Sequence, residues 1–231
     1  MILGFDTATP ATAVALVLPG REAVEARHDP VPGERPAHVT ALLGLVEQVL
    51  AEVGAELRDV SLLAVGIGPG SFTGLRIGVA TARSLAQACS LPLVGVSTLR
   101  ALAAGAREQA GPGRPVLVVL DARRGEVFAA AFADEAELLA PAALAPDALA
   151  GALASLPEGT LAIGDGALKF SALMEEAGAV VPVASSPLHR VWARHHCKLA
   201  PATAAPVGRA VAPDYLRPPD ARPIAPPPFS P

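Results

Sequence analysis

Cysteine is almost missing from this chain: Cys89 and Cys197 are the only two, and neither sits in a zinc-like spacing. Without a disulfide framework or a metal-binding cysteine pattern, a reduced compartment is expected, and the cytoplasm follows. Long apolar runs are missing as well. Hydrophobic residues make up 52% of the sequence, yet no stretch offers ~18 uninterrupted apolar residues, so no membrane-spanning helix is expected. No basic leader precedes the first apolar run, which carries Asp6, so the start does not read as a secretory signal. A basic excess is the third absence. Lys and Arg number 18 against 22 Asp and Glu, a net charge of −4. That balance argues against a protein that grips RNA or DNA unaided.

What is present is room for a core and one conspicuous stretch. The 231 residues suffice for one large domain or two small ones. The stretch is Gly68-Pro69-Gly70-Ser71-Phe72-Thr73-Gly74-Leu75-Arg76-Ile77-Gly78. It follows the buried-strand run Leu62 to Ile67 and leads into a helical pattern over 72–89. Glycine lets a ligand or another backbone approach closely. A helix start leaves amide groups unpartnered beside the positive end of the dipole. Such a turn can hold an anion, or it can be a tight corner whose glycines serve packing alone.

Met1 to Asp6 reads as a buried strand ending in the turn Asp6-Thr7-Ala8-Thr9-Pro10, and further strands are predicted over 13–18 and 22–27. Strands joined by such a polar turn resemble the opening of an actin-like nucleotide-binding domain. There, an acidic residue and small hydroxyl residues face phosphates and metal, which makes Asp6, Thr7 and Thr9 candidates. The alternative is that they cap and close a turn. A loop over 32–36 precedes a helix over 37–53 with few charges on any face, either deeply buried or covered by another protein. Gly44 in its middle costs stability, so close approach of a neighbour is expected there. Gly74, Gly78, Ala82 and Ala86 give the second helix a smooth stripe, while Arg76, Ala80, Arg83 and Gln87 share another.

A strand over 93–96 and a helix capped by Ser97 or Thr98 complete the first half. Strands over 116–120 and 127–132 flank Asp121, repeating the opening theme and suggesting a duplicated lobe. Beyond them the chain reads as a helix over 146–155, a short strand at 161–163, a helix over 167–177 and a last strand over 180–183. One helix is then expected to carry His189, Arg190, Arg194, His195, His196 and Lys198, a candidate local RNA contact surface. Neighbouring residues on a helix point about 100° apart, so His195, His196 and Cys197 cannot converge on one metal. From Pro201 onward proline and alanine dominate, and an extended or disordered tail is expected apart from a piece near Tyr215-Leu216-Arg217.

Taken together, Asp6-Thr7-Ala8, the helix beginning near His38, the glycine stretch Gly68 to Gly78 and the late Tyr215-Leu216-Arg217 resemble the TsaB (YeaZ) family over almost the whole length. The resemblance implies an α/β fold of two lobes, of the actin, sugar-kinase and Hsp70 type, each lobe a mixed sheet with flanking helices. The division expected is an N-terminal lobe over 1–110, a smaller lobe over 111–200 and a proline-rich tail over 201–231 packed near 213–217. The role implied is that of an essential non-catalytic partner of TsaD, which transfers threonylcarbamoyl to form N6-threonylcarbamoyladenosine just 3′ of the tRNA anticodon. A TsaE-like ATPase joins the two, tRNA is met through the complex, and the chain alone pairs with a second copy. No cofactor of its own is implied; ATP or ADP at the junction of the complex is the one exception, with Asp6, Thr7, Gly68 and Gly70 as candidates.

One departure matters. TsaD-like proteins carry His-x-x-x-His on the helix that here starts near His38, and Leu42 occupies the second position. Leucine supplies no lone pair, so neither a metal site nor a catalytic residue is expected. The family's contact with TsaD is built from the first two helices of the N-terminal lobe. The residues assigned to it are His38, Val39, Leu42, Leu43, Val46, Leu75, Arg76, Val79, Ala82 and Arg83. The rival reading is a small ATPase or phosphotransferase of the same superfold. A peptidase reading fails because Ser71 lies outside any Gly-x-Ser-x-Gly elbow.

Overall fold

The computed structural model describes residues 1–31, 33–203 (main chain only over 201–203) and 211–217. In the first lobe β1 (Ile2–Asp6), β2 (Thr12–Val17) and β3 (Val24–His28) form an antiparallel meander. The strands β4 (Leu62–Gly68) and β5 (Leu93–Ser97) join it in parallel, in the order β3-β2-β1-β4-β5. Successive strand side chains face opposite sides of a sheet, and that alternation assigns the two faces. Leu3, Phe5, Val14, Leu16, Leu63 and Val65 pack with α1 (His38–Glu52) and α2 (Phe72–Cys89). The other side carries Gly4, Ala13, Ala15 and Ala64, small enough for α7 (Ala193–Thr203) to lie close; a side chain at Gly4 would run into Cys197.

The second lobe repeats the pattern. Its strands β6 (Val116–Arg123), β7 (Glu126–Ala133) and β8 (Ala136–Leu144) are antiparallel, β9 (Leu161–Ile163) is parallel to β6, and the order is β8-β7-β6-β9. Helix α3 (Thr98–Ala110), capped by Ser97, packs Leu99, Leu102 and Ala106 on one face against Val116, Val118 and Leu120. On the other face α4 (Pro146–Leu153), α5 (Asp165–Lys169) and α6 (Ser171–Glu176) bring Leu149, Ala167 and Met174 onto Leu117, Val119 and Ala129. The lobes meet where α3 and α7 pack against each other.

Three expectations change, and one stretch without an expected element gains one. The alanine- and leucine-rich stretch after Ala133 holds β8, because pairing along β7 overrides its weak strand propensity. The helix expected over 167–177 is two, α5 and α6, separated at Phe170. Instead of a strand over 180–183 there is a single bridge from Val180 to Leu161. His189 and Arg190 lie outside α7: Ser186 caps a 3-10 turn over Pro187–His189, and α7 starts at Ala193. The proline-rich run 225–228 and Pro32 of the early loop lie outside the described residues.

Candidate functional site

The turn after β1 and the start of α2 are built into each other. Thr7 Oγ1 donates to the Gly74 carbonyl at 2.7 Å, and the Ser71 amide donates to the Ala8 carbonyl at 2.7 Å. A side chain at Gly70 would collide with the Ala8 carbonyl, and one at Gly74 with the Thr7 carbonyl. These glycines therefore serve the close approach of two backbones. Ser71 caps α2 by accepting from the Gly74 amide. Beside the turn, His38 is buried, with Nδ1 2.9 Å from Thr12 Oγ1. Burial is the main cause that lowers its pKa. It belongs to the interior and not to a docking face.

Asp6 is committed inward as well. Alternation along β1 puts it on the same side as Gly4, facing α7, where Oδ2 lies 2.9 Å from His196 Nε2. Thr98 Oγ1, at the start of α3, donates to the same oxygen at 2.7 Å, and the Ala8 amide donates to Oδ1 at 2.7 Å. A side chain at Gly66 would occupy the space of this carboxylate. Asp6 and His196 are 1% and 0% exposed, so the pair is shut from solvent. Neither ring nitrogen of His196 completes a well-aligned hydrogen bond among the described residues. Burial alone would push the Asp6 carboxyl up. The His196 contact, with Thr98 and the Ala8 amide, outweighs it and holds the pKa below the ordinary value.

The basic residues near α7 are likewise turned toward the chain. His195 lies under Gly105 of α3, His196 meets Asp6, and the Cys197 thiol points at the Ile2 and Ala15 carbonyls. Arg194 pairs with Glu25, and Lys198 with Glu108. Of the RNA contact surface expected here, His195 and His196 are corrected to the interior and Arg194 and Lys198 pair with partners inside the chain, while His189 is half-buried and Arg190 exposed. Burial first, then the neighbouring Arg194 charge, pushes the His195 pKa from 6.5 down to about 4. A lowered folded pKa means that the unfolded chain takes up the proton first, so this stability is whole above pH 6.5 and is lost toward pH 4. Between pH 7.5 and pH 5 the loss from His195 is expected to be about 2 kcal/mol. Urea unfolding at the two values measures it, and His195→Gln should flatten the dependence.

Between the lobes lies a cleft of about 550 Å³, within the usual size for a small-molecule site. The first turn, the start of α2, the β6–β7 hairpin and residues 214–217 wall it. Gly70 lines it; Asp6, Thr7 and Gly68 lie buried outside it. Thr9, the third candidate of the first turn, lines it too, so of Asp6, Thr7, Thr9, Gly68 and Gly70 the structure leaves Thr9 and Gly70 in the cleft. Arg123, Arg124 and Arg217 are balanced there by Asp121, Asp165 and Asp214, so the formal charges of the wall cancel.

The docking assignments divide in two. Leu42, Val46, Leu75, Val79 and Ala82 are buried in the first lobe and corrected to core, because the sheet occupies the side of α1 and α2 on which they lie. Val39, Leu43, Arg76 and Arg83 point outward, and so does Phe72, which the sequence reading passed over. Gly44 also lies on the open side, and among the described residues nothing stands within 4 Å of its Cβ position, so none of them explains it.

Residues 34–181 match the family model of TsaD, tRNA N6-adenosine threonylcarbamoyltransferase. A solved structure from Pseudomonas aeruginosa, described as similar to peptidase YeaZ, is 31% identical with a TM-score of 0.76; the match covers 94% of this chain and 99% of that one. The chain belongs to the TsaB (YeaZ) family. The tRNA threonylcarbamoyladenosine biosynthesis protein TsaB of Escherichia coli is 45% identical over 131 residues, 57% of this chain and 54% of that protein. The chain thus spans about half the length of that TsaB relative. Component A of (R)-2-hydroxyglutaryl-CoA dehydratase from Acidaminococcus fermentans is 12% identical with a TM-score of 0.50, covering 86% and 95% of the two chains. That likeness concerns the fold alone, the two-lobed actin and sugar-kinase type. Among the described residues of this TsaB-family chain, no helix is long and apolar enough to cross a membrane.

Proposed function

We propose that this chain is a non-catalytic docking subunit in the synthesis of N6-threonylcarbamoyladenosine in tRNA, and that α1 and α2 present its face to a TsaD-type catalytic subunit. The observation that carries this reading is the outer side of α1. Val39 is 74% exposed and Leu43 52% exposed, beside Gly44, on a helix whose inner side is already filled. A helix pays stability for an exposed glycine, and the closeness it permits has a use when a second protein approaches. The sequestered Asp6 supports the non-catalytic part: its oxygens are occupied by His196, Thr98 and the Ala8 amide.

On this reading a TsaE-like ATPase completes the assembly, tRNA is met through it, and ATP or ADP sits at the junction of the subunits. Alone, the chain pairs with a second copy through the same face, and it works in the cytoplasm. Glutamate at both Val39 and Leu43 is expected to weaken capture of the TsaD-type subunit about a hundredfold. The unfolding midpoint should stay within about 2 °C, because both side chains are on the surface. Calorimetric titration measures the first and a thermal scan the second; unaltered affinity would count against the face. Charge at Leu42 or Val79 would test folding instead, since both are core. Reconstitution with the TsaD-type subunit, the TsaE-like ATPase, ATP and tRNA, omitting each in turn, tests the function: modified adenosine formed without this chain would sink it.

A further inference from the structure

Residues 211–217 touch both lobes. Val211 packs on the core of the first lobe beside Gly95, and the Asp214 amide donates to the Ile67 carbonyl at 2.7 Å. Tyr215 then lies on the start of α2: its ring centroid is 5.2 Å from that of Phe72, and Arg76 Nε donates to its hydroxyl at 3.4 Å. The Arg76 guanidinium covers the Phe72 ring at 3.9 Å. The next two residues cross to the second lobe. Leu216 packs on the cluster between α3 and β6, and Arg217 Nη1 lies 2.9 Å from Glu126 Oε2 on β7.

We infer that residues 211–217 are a strap with two roles: it locks the lobes across the cleft, and it adds Tyr215 to the face that receives the TsaD-type subunit. The second role rests on the docking reading above; the first stands on the contacts alone. Phe72 and Tyr215 are each 39% exposed, side by side, with Arg76 stacked over Phe72 and donating to the Tyr215 hydroxyl. Aromatic rings and arginine are the residue types that dominate binding hot spots, because they bury much area at little cost in freedom. The strap is thus held on the first lobe through Val211 and Asp214 and on the second through Leu216 and Arg217, with the binding residue Tyr215 between the two anchors. Loosening the anchor frees Tyr215 without any change in α1 or α2.

Hydrogen exchange of the full-length chain and titration with the TsaD-type subunit test both roles. Leu216→Asp removes the second-lobe anchor, and Leu216→Ala is the milder form should the aspartate variant not fold. Either is expected to speed exchange about tenfold over residues 72–76 and 120–128 and to weaken subunit binding about fivefold. Tyr215→Ala should weaken binding about tenfold with second-lobe exchange unchanged. Exchange within twofold of the parent in both Leu216 variants would overturn the lock. Binding that falls with Leu43→Glu but not with Tyr215→Ala would overturn the second role and leave the docking face standing. Binding that falls with neither would sink the docking reading itself, and exchange would still decide the lock.

Discussion

His196→Ala is expected to remove about 3–5 kcal/mol of folding free energy, because it strands the Asp6 carboxylate in a site closed to water. For a chain of this length that corresponds to a fall of roughly 10 °C in the unfolding midpoint, read by calorimetry at pH 7.5. The attraction of the pair is set against the cost of taking both groups out of water, and removing one member leaves only the cost. Asp6→Asn combined with His196→Ala should therefore lose less than the sum of the two single variants. Full additivity would mean that the two side chains do not interact. The Asp6 part also has a pH signature. Its folded pKa is depressed, so its contribution is present above the ordinary carboxylate value and disappears as pH falls through the folded one. This is the stabilising network in which three distant elements, β1, α3 and α7, share one carboxylate.

How far the residues alone announced this arrangement differs from place to place. The run from Phe72 to Cys89 is the helix its pattern predicts, because the Ser71 cap and the stripe of small and apolar residues agree. The repeated strand, Asp turn and strand of the two halves corresponds to two sheets that share a four-strand order, β3-β2-β1-β4 in the first and β8-β7-β6-β9 in the second, with β5 added to the first alone. The strand β8 was hidden because Ala136 to Leu144 holds no β-branched residue, and only the neighbouring β7 makes it extended. The role of Asp6 was open for a different reason: His196 and Thr98 are remote in the chain, and no local pattern connects them. A signal did exist. Leu3 and Phe5 alternate with Gly4, and Ala13 and Ala15 sit in the same phase on the next strand, which marks a face made for a closely packed helix. Asp6 shares that phase. The docking helices divided as they did because a helical stripe tells which residues lie together, while the sheet decides which stripe faces inward.

A second large loss is expected where α2 crosses the first turn. Gly74→Val places a branched side chain against the Thr7 carbonyl, main chain against main chain, where no flexible end can give way. Thr7 Oγ1 donates to the Gly74 carbonyl at 2.7 Å, so moving the helix away breaks that bond as well. Overpacking of this kind costs about 1–3 kcal/mol where side chains can shift, and the upper end applies here because the obstacle is backbone. Gly44 supplies the contrast within the same lobe. Among the described residues nothing stands near its Cβ position, so Gly44→Ala should raise the stability of the isolated chain by about 0.5–1 kcal/mol through helix propensity alone. Urea midpoints of the two variants decide the matter. A stable Gly74→Val chain would show that the turn and α2 are not interlocked. A Gly44→Ala chain that gains stability yet binds the TsaD-type subunit less well would show why α1 keeps a glycine on its open side, since the methyl group that helps the helix stands in the way of the neighbour.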